Sequence, residues 1–327
     1  MQASRITGYW LSVGLLACGL LPALESAAQN YPVKPVRILV GFLPGGGADV
    51  VARMIASKLT ESLGQPVAVD NRLGAGGTIA TEAAARAPAD GYTLQVISAA
   101  EPAQGSLHAK LSYDLERDLA PVSLITIGAF MLVVHPSVPA RNVRELVALA
   151  RSQPGKLNFS SSGVGGTPHL AGELFNLLAK VKIVHVPYKG GSGAVVANAS
   201  GEVALSFNSI PALLPLLGLA KLRSIAVTSA KRSSSVPEVP TISESGLPEY
   251  DLAGWYGMLA PAGTRKEIIA TLNAAIAKAV NTPEMREAFN KQGLDPQSIT
   301  PEQFAAFLRK EIARSALLIK LTGARAE

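Results

Sequence analysis

The chain reads VRILVGFLPGGGADV over residues 36–50, and the pattern of these residues indicates the fold class. Val36–Val40 is a short run of β-branched and aliphatic residues, which predicts a strand that stops at the turn Phe42–Gly47. From Asp49 to Leu63 the apolar side chains recur near every 3.6 residues, which predicts a helix (Val51, Ile55, Leu59 and Leu63). A strand that enters a helix through a glycine-rich turn is the repeating unit of an α/β protein.

The same order continues outward from this stretch in two modules. In the first, strands are predicted at Val67–Val69 and Tyr92–Ile97, separated by a loop over 71–77 and a helix over 78–86. In the second, strands are predicted at Leu157–Phe159, Ile183–Val186 and Val203–Phe207. One helix is predicted over 169–178, and another follows the loop 187–193 and extends to residue 199. This alternation predicts mostly parallel sheets, built from right-handed crossovers and flanked by helices.

Two apolar extended runs, Ile127–His135 and Leu252–Ala260, lie where the chain passes between the modules. We interpret them as a hinge between two lobes. Lobe 1 is then residues 29–126 with 253–327, and lobe 2 is residues 127–252. The tail is predicted to be helical over 267–280 and 302–318 and to pack on lobe 1. Residues 100–104 are interpreted as a loop after the third strand.

The first 28 residues are typical of a secretory signal peptide. Arg5 precedes an apolar run from Tyr9 to Leu24, and Ser26-Ala27-Ala28 supplies the small residues of a cleavage site. The predicted location is therefore the periplasm of a Gram-negative cell. A lipid anchor is the alternative, because Leu15-Leu16-Ala17-Cys18 resembles a lipobox. Cys18 is the only cysteine, so cleavage after Ala28 would leave no thiol for a disulfide, a metal or a nucleophile.

Four glycine-rich turns at helix starts carry the functional signal: Gly45–Gly47, Gly74–Thr78, Gly163–Thr167 and Gly190–Gly193. Glycine permits a positive φ and close approach to the backbone. A helix start presents unpaired N–H groups and a partial positive charge. Such turns lie at the carboxyl ends of strands, where open α/β sheets bind ligands. Two facing lobes therefore predict a cleft for a carboxylate or phosphate. The alternative is that glycine is simply common in these turns.

Other functions lack their sequence signatures. No stretch fits G-x-x-x-x-G-K-[ST] or a G-x-G-x-x-G that opens the first helix, so no nucleotide cofactor is expected. Neither G-x-S-x-G nor H-E-x-x-H is present, which argues against a hydrolase and a metal site. The four histidines stand isolated in the sequence (His108, His135, His169 and His185). The net charge of +6 is scattered and aromatic residues make up 5%, which argues against a nucleic-acid partner and suits an anionic ligand.

Single side chains near the turns have two interpretations each. His169 starts the helix after the third turn, so its ring either contacts the ligand or serves as a helix-end packing residue. Asp49 either contacts the ligand or favours the dipole of the first helix. Tyr188 and Trp255 either cover the ligand or pack in the core.

Short motifs along the whole predicted mature chain resemble the Bug/TctC family, the solute-binding proteins of tripartite tricarboxylate transporters. The order and spacing of these motifs carry the resemblance: Tyr31-Pro32-x-Lys34-Pro35-x-Arg37, Phe42-x-Pro44-Gly45-Gly46-x-x-Asp49, Val69-x-Asn71-Arg72-x-Gly74-Ala75-Gly76-Gly77-Thr78, Asp90-Gly91-Tyr92-Thr93-Leu94, Ser161-x-Gly163-x-Gly165-x-x-x-His169-Leu170, Val186-Pro187-Tyr188-Lys189-Gly190 and Ala260-Pro261-Ala262-Gly263-Thr264.

The resemblance implies a two-lobed type II periplasmic-binding-protein fold that captures a small carboxylate and catalyses nothing. It implies membrane transporter subunits as partners, a monomeric receptor and no cofactor. A ligand-sensing receptor without a transport role, or an enzyme on the same fold, is the alternative. The implied contacts come mainly from the turns: Phe42, Gly46, Asp49, Gly77 and Thr78 in lobe 1, and Ser161, Gly165, His169 and Asn208 in lobe 2.

Two positions depart from the family pattern. The family commonly has Thr-His-Ala-x-Asn where this chain has Ala100-Glu101-Pro102-Ala103-Gln104, and commonly has Asp where this chain has Asn208. A Glu101 carboxylate near the cleft would repel a second carboxylate. The sequence therefore predicts a ligand with one anchoring carboxylate and a neutral or cationic distal end. The alternative is that Glu101 points to solvent.

Overall fold

Ten strands form one mixed sheet in the computed structural model, which describes residues 31–108, 110–188 and 191–323. The predicted signal peptide and Cys18 lie outside the described residues. The strand order is β2-β1-β3-β9-β4-β7-β5-β6, with β8 and β10 paired to β4. No helix among the described ranges is long and apolar enough to span a bilayer.

The first module follows the predicted strand–turn–helix order. Its strands are β1 (Val36–Val40), β2 (Val67–Asn71) and β3 (Thr93–Ser98), with β1 parallel to both neighbours. Its helices are α1 (Gly47–Leu63) and α2 (Thr78–Ala85). Helix α1 ends at Gly64, whose φ of 69° closes the last turn in the left-handed conformation that glycine adopts readily. The predicted α/β alternation is confirmed here.

A helix replaces the loop predicted after β3, so the prediction for residues 100–104 was wrong. Helix α3 spans Glu101–Leu107, with Pro102 in its first turn. A proline is tolerated there because a first-turn N–H has no helical acceptor to lose.

The second module repeats the arrangement. Its strands are β5 (Asn158–Ser161), β6 (Val184–Pro187) and β7 (Leu205–Ser209), with β5 parallel to both neighbours. Its helices include α5 (Thr167–Ala179) and α6 (Gly191–Ala199). The sequence analysis did not predict three further elements in this module: α4 (Val143–Ser152), α7 (Ile210–Gly218) and β8 (Arg223–Val227).

Two long strands cross between the modules and add antiparallel pairing to the parallel crossovers. They are β4 (Leu119–Val134) and β9 (Ala253–Pro261), and each includes all but one residue of a run interpreted as a hinge. Strand β4 pairs with β9 over residues 119–129 and with β7 over residues 130–134. It therefore belongs to both modules, and the hinge stays a prediction. The lobe bounds themselves remain a prediction.

The C-terminal segment contains α8 (Lys266–Val280), α9 (Pro283–Lys291), β10 (Leu294–Pro296) and α10 (Pro301–Thr322). Helix α8 packs in the cluster that contains α1, as predicted for lobe 1. Helix α10 instead reaches both modules. Phe304 and Leu308 pack with Trp255, whereas Leu318 and Ile319 pack with the cluster around Phe159. The expectation that the whole tail packs on lobe 1 is therefore wrong for the end of α10, because a helix of 22 residues is about 33 Å long and spans both modules.

Each module buries apolar side chains on both faces of its strands. In β1, Ile38 and Val40 face the helices α1 and α8, while Leu39 faces the opposite cluster with Trp255. In β4, Leu132 and Val134 join one cluster and Met131 and Val133 join another. Burial on both faces explains why these strands read as continuous apolar runs rather than alternating ones.

Candidate functional site

The carboxyl ends of the two parallel strand sets point towards each other along β4. Ser98, the last residue of β3, pairs with Tyr256, which pairs with Thr126 of β4. Ser209, the last residue of β7, pairs with Phe130 of β4. The two ends are thus four residues apart along one strand, or about 13 Å at ~3.3 Å per residue. This register places the turns of both modules around one space.

Helix α3 lies between a turn of each module. The Gln104 side chain packs on Gly76 and the Glu101 side chain packs on Gly77, both in the β2–α2 turn. At its other end, Leu107 packs so closely on Gly165 of the β5–α5 turn that a methyl group there would collide with it. Because α3 has only 7 residues, it is about 10 Å long, and the two turns that it contacts at its ends are separated by roughly this distance along the helix.

The helices that start at these turns have no side-chain caps. The N-cap residues of α1, α2 and α5 are Gly46, Gly77 and Gly166, none with a capping side chain. By contrast, α4, α9 and α10 are capped by the side chains of Asn142, Thr282 and Thr300. An uncapped helix start keeps N–H groups available for an external acceptor, and an anionic oxygen suits both those donors and the helix dipole.

Asp49 supports the first turn from behind. Its buried carboxylate accepts hydrogen bonds from the Gly45 N–H (2.9 Å), the Arg53 Nε (2.9 Å) and the Asn71 Nδ2 (2.9 Å). Burial alone raises the pKa of the Asp49 carboxyl, but the hydrogen bonds from Arg53, Gly45 and Asn71 outweigh it and lower the pKa below its usual value. All three donors belong to the protein, so the structure gives this carboxylate a role in positioning the turn.

The other predicted contacts of lobe 1 lie on the same turns. Phe42 is half-buried against the first-module core, and its carbonyl accepts from Asn71 Nδ2 at 3.0 Å. The Gly46 N–H donates to the Leu43 carbonyl at 3.1 Å. Gly77 has a φ of 94°, and Thr78 is the half-buried first residue of α2. The structure therefore brings these four residues together at the edge of one module.

Two histidines that stand isolated in the sequence form a stacked pair behind the β5–α5 turn. The rings of His169 and His185 have centroids 4.0 Å apart. Nδ1 of His169 accepts the Gly165 N–H at 3.0 Å, so the proton of the neutral ring is on Nε2. His185 Nε2 lies 2.6 Å from Ser161 Oγ, and this hydroxyl donates to the Gly163 carbonyl and accepts the Gly163 N–H.

Both rings are held neutral. Burial, together with the neighbouring His185, lowers the pKa of His169 to about 3. Burial also lowers the pKa of His185 to about 4. Ser161 and His169 therefore bind the backbone of their own turn, which agrees with the packing interpretation of His169. The sequence analysis missed His185 as their partner, since 24 residues separate it from Ser161 and no motif links them. No group of three or more metal-ligating side chains occurs in the described part of the chain.

Glu101 is buried, with 2% of its surface exposed, so the alternative that it points to solvent is wrong. Its Oε2 accepts the N–H and hydroxyl of Ser98, at 2.8 and 2.7 Å, which closes the β3–α3 turn. Its Oε1 lies against Gly77 without a hydrogen-bond partner among the described residues. Burial raises the pKa of the Glu101 carboxyl to about 7, although the hydrogen bonds from Ser98 lower it.

Asn208 is also buried, with 3% of its surface exposed, and lies at the carboxyl end of β7 beside Gly191. Its Nδ2 has no hydrogen-bond partner in the part of the chain that the structure describes. Lys189 and Gly190 lie outside that part, so the fourth turn is described from Gly191 onwards. The other two side chains with open interpretations are paired: Trp255 Nε1 donates to Glu311 in the core, and the Tyr188 hydroxyl donates to Glu202.

A groove of about 640 Å³ lies elsewhere, between α7 and α9. Two of its charged lining residues, Glu287 and Lys291, pair with each other, and none of the four turns lines it. The turns, with their uncapped helix starts and two unpartnered buried polar atoms, are the better candidate site.

The chain is similar to known proteins over most of its length. Residues 51–324 match the sequence model of a family described as the tripartite tricarboxylate transporter family receptor, TctC. Protein BugT of Bordetella pertussis is 40% identical over 305 residues, which cover 93% of this chain and 94% of that protein. The structure of R. palustris Rpa4515 with adipate is 35% identical, with a TM-score of 0.82 over 90% of this chain and 99% of that one. MatC from Rhodopseudomonas palustris with bound malate is 33% identical, with a TM-score of 0.77 over 88% and 100%.

Proposed function

This chain belongs to the tripartite tricarboxylate transporter receptor family, TctC, and from that premise we propose that it is a periplasmic solute-binding protein for a small carboxylate. The family is one of solute-binding proteins, and two similar proteins were solved with adipate and with malate. The ligand is held between the two modules and then delivered to membrane subunits of a transporter. It leaves chemically unchanged, because the protein only binds it.

One observation carries the proposal: the helices α1, α2 and α5 start at glycines without side-chain caps, on turns that face one another. Their first-turn N–H groups suit the oxygens of a carboxylate. The polar side chains behind these turns, Asp49, Ser161 and His169, bind turn backbone and fix its position. Recognition through backbone N–H groups needs no charged side chain in the cleft.

The test is thermal melting of the mature chain from Gln29 against a panel of mono-, di- and tricarboxylates, hydroxy acids and amino acids. A ligand at 100 times its Kd adds about 2.7 kcal/mol. At about 2–4 °C per kcal/mol, the melting temperature should rise by several degrees with one carboxylate class. Mass spectrometry of the denatured protein identifies any ligand retained during purification, and shows whether an added ligand is recovered unchanged.

A matched pair of variants tests the role of the helix start. Gly166 has an extended backbone, with φ −66° and ψ 156°, which other residues adopt. Gly166→Asp would supply an internal carboxylate to the α5 N–H groups and compete with the ligand. Gly166→Ala adds the same Cβ without the carboxylate. We expect the Asp variant alone to lose the ligand-dependent shift. A panel without any shift, from protein free of retained carboxylate, would exclude the proposed function.

A further inference from the structure

A cluster of buried polar side chains lies behind the β2–α2 turn. Thr81 Oγ1 donates to the Gly77 carbonyl at 3.0 Å and accepts from Gln95 Nε2 at 2.8 Å. Three buried oxygens around this pair have no hydrogen-bond partner among the described residues: Gln95 Oε1, Glu101 Oε1 and the Tyr113 hydroxyl. A glutamine does not titrate and a tyrosine titrates only in alkali, so Glu101 is the member of this set whose charge can change near neutral pH.

The Glu101 carboxyl is hydrogen-bonded on one oxygen only. Oε2 accepts the N–H and the hydroxyl of Ser98, whereas Oε1 lies 3.0 Å from where a Cβ on Gly77 would lie. An ionised carboxylate accepts on both oxygens, and burying it without donors costs far more free energy than burying the neutral acid. The geometry therefore favours the protonated carboxyl, and burial raises the pKa of Glu101 to about 7.

The groups around Glu101 supply no positive charge to hold it ionised. The titratable side chains on the elements packed against it are Glu82 on α2, His108 on α3, Tyr113, Tyr256 on β9, and Glu311 and Arg314 on α10. Both tyrosines are neutral, because burial raises the pKa of each to about 12. Arg314 pairs with Glu311 at 3.2 Å, and His108 lies 3.1 Å from Gln104 Oε1 at the other end of α3. The charge of Glu101 therefore depends on solvent protons and on whatever anion comes near.

The nearest place for such an anion is the start of α2. Gly77 is the N-cap residue of this helix and has no capping side chain, so the first-turn N–H groups of α2 are available to a carboxylate. Glu101 Oε1 lies against the same residue. A second negative charge there disfavours the ionised form of Glu101, and the ionised form of Glu101 disfavours the second charge by the same free energy.

We propose that carboxylate binding by this protein is coupled to protonation of Glu101, so that the carboxyl takes up a proton from solvent when an anionic ligand binds at the start of α2. This inference rests on the proposed function, because it assumes that a carboxylate binds at the uncapped helix starts. The repulsion that the sequence predicts for Glu101 then acts only while this residue is ionised.

The direction of the pH dependence follows from the two states. Without a ligand the pKa of Glu101 is about 7, and with a carboxylate bound it is higher. Affinity is therefore constant below about pH 7 and falls as pH rises towards the pKa of the bound state. Each unit by which the bound carboxylate raises this pKa corresponds to a 10-fold loss of affinity.

The experiment measures Kd by calorimetric titration from pH 6 to pH 9 with adipate, with malate, and with the carboxylate that gives the largest melting shift. The carboxyl groups of these probes are ionised in most of this range, and His169 and His185 stay neutral, with pKa values of about 3 and 4. Binding should be at least about 10-fold weaker at pH 9 than at pH 6. Titration at pH 8 in two buffers with different ionisation enthalpies should show net proton uptake.

Two variants assign the effect to Glu101. Glu101→Gln cannot ionise and keeps an oxygen that can accept from Ser98, so its affinity should be the same at pH 6 and pH 9, without proton uptake. Glu82→Gln removes a neighbouring carboxyl on α2 and should keep the wild-type pH dependence. If Glu101→Gln does not fold, the proton uptake of the wild-type protein still tests the coupling.

Each outcome has one meaning. Failure of the wild-type protein to bind any carboxylate overturns both the proposed function and this inference. Carboxylate binding with the same Kd at pH 6 and pH 9, and without proton uptake, overturns the inference alone. The same pH dependence in wild type and Glu101→Gln assigns the coupling to another group and also overturns it.

Discussion

The β1–α1 turn and the β5–α5 turn are both held from behind, the first by a charged side chain and the second by a neutral one. An ionised carboxylate, Asp49, binds the Gly45 N–H in the first turn. A neutral imidazole, His169, binds the Gly165 N–H in the second. The two turns therefore share only their backbone conformation and not the side chain that holds it. Any buried acceptor that binds a glycine N–H can hold such a turn in place. Two similar helix starts can therefore be supported by chemically different side chains.

The largest expected effect comes from changing glycines of these turns. Gly165→Ala should lower the free energy of unfolding by about 2–5 kcal/mol, because a φ of 77° disfavours a Cβ and that Cβ collides with buried Leu107. Gly77→Ala should cost less, since its nearest neighbour is Glu101 Oε1 at 3.0 Å. Gly45→Ala, with a φ of 80° and open space, is the control for backbone strain alone. If urea denaturation showed that Gly45→Ala is the most destabilised of the three variants, the packing of α3 against both turns would be contradicted.

Removing the charged support should have the next largest effect. Asp49→Ala leaves the Gly45 N–H and Asn71 Nδ2 without their acceptor, and should lower the free energy of unfolding by about 2–4 kcal/mol. Asp70→Ala removes a carboxylate whose side chain is 30% exposed and should cost much less. Equal losses for the two variants would show that the Asp49 network does not stabilise the turn.

Glu101 should give lobe 1 a stability that falls as pH rises. Its folded pKa of about 7 exceeds the ordinary value of 4.5, so the folded state binds more protons between these values. The contribution is complete below about pH 4.5 and lost as pH rises through 7. Glu101→Gln should therefore be more stable than wild type at pH 8, relative to pH 5, by about 2–3 kcal/mol. Glu116→Gln, at an exposed position, is the control. If wild type, Glu101→Gln and Glu116→Gln had the same dependence of stability on pH, the raised pKa of Glu101 would be ruled out.

His169 should give lobe 2 the opposite dependence. Its folded pKa of about 3 lies below the ordinary 6.5, so the unfolded state binds more protons between these values. Stability is complete above pH 6.5 and falls as pH decreases, by about 2 kcal/mol between pH 7 and pH 5. His169→Asn keeps an acceptor for the Gly165 N–H without titrating, and should remove the His169 part of the acid loss, while the part due to His185 remains. His135→Asn, outside the stacked pair, should keep both parts. A steeper loss in His169→Asn would contradict the assignment.

The two pH dependences oppose each other between about pH 4.5 and 6.5, so each should be clearest when the other is removed. The Glu101→Gln profile should fall towards acid, and the His169→Asn profile should fall towards alkali. The double variant should still lose stability towards acid, though less steeply than Glu101→Gln, because His185, with its pKa of about 4, remains to titrate.

Much of this architecture can be predicted from local patterns. The turn at 42–47 and the helix after it follow from a run of β-branched residues, a glycine cluster and a 3.6-residue period. The crossing strands β4 and β9 follow from two apolar runs placed between the modules. Helix α3 was missed because Glu101-Pro102 resembles a loop, and so short a helix depends on tertiary packing, which Gly77 and Gly165 provide together with the core cluster that includes Ala103 and Leu107.

Local sequence patterns are sufficient to predict the α/β class, the two modules, the glycine-rich helix starts and the family, because these depend on short-range periodicity and on motifs in order. The roles of the polar side chains, in contrast, were set by the tertiary structure. It turned Asp49, Ser161 and His169 towards their own turns, stacked His169 on His185, buried Glu101 and left the Asn208 amide without an acceptor among the described residues. These outcomes depend on contacts between residues far apart in the chain, and the direction of a side chain follows from which of those neighbours fills the space around it.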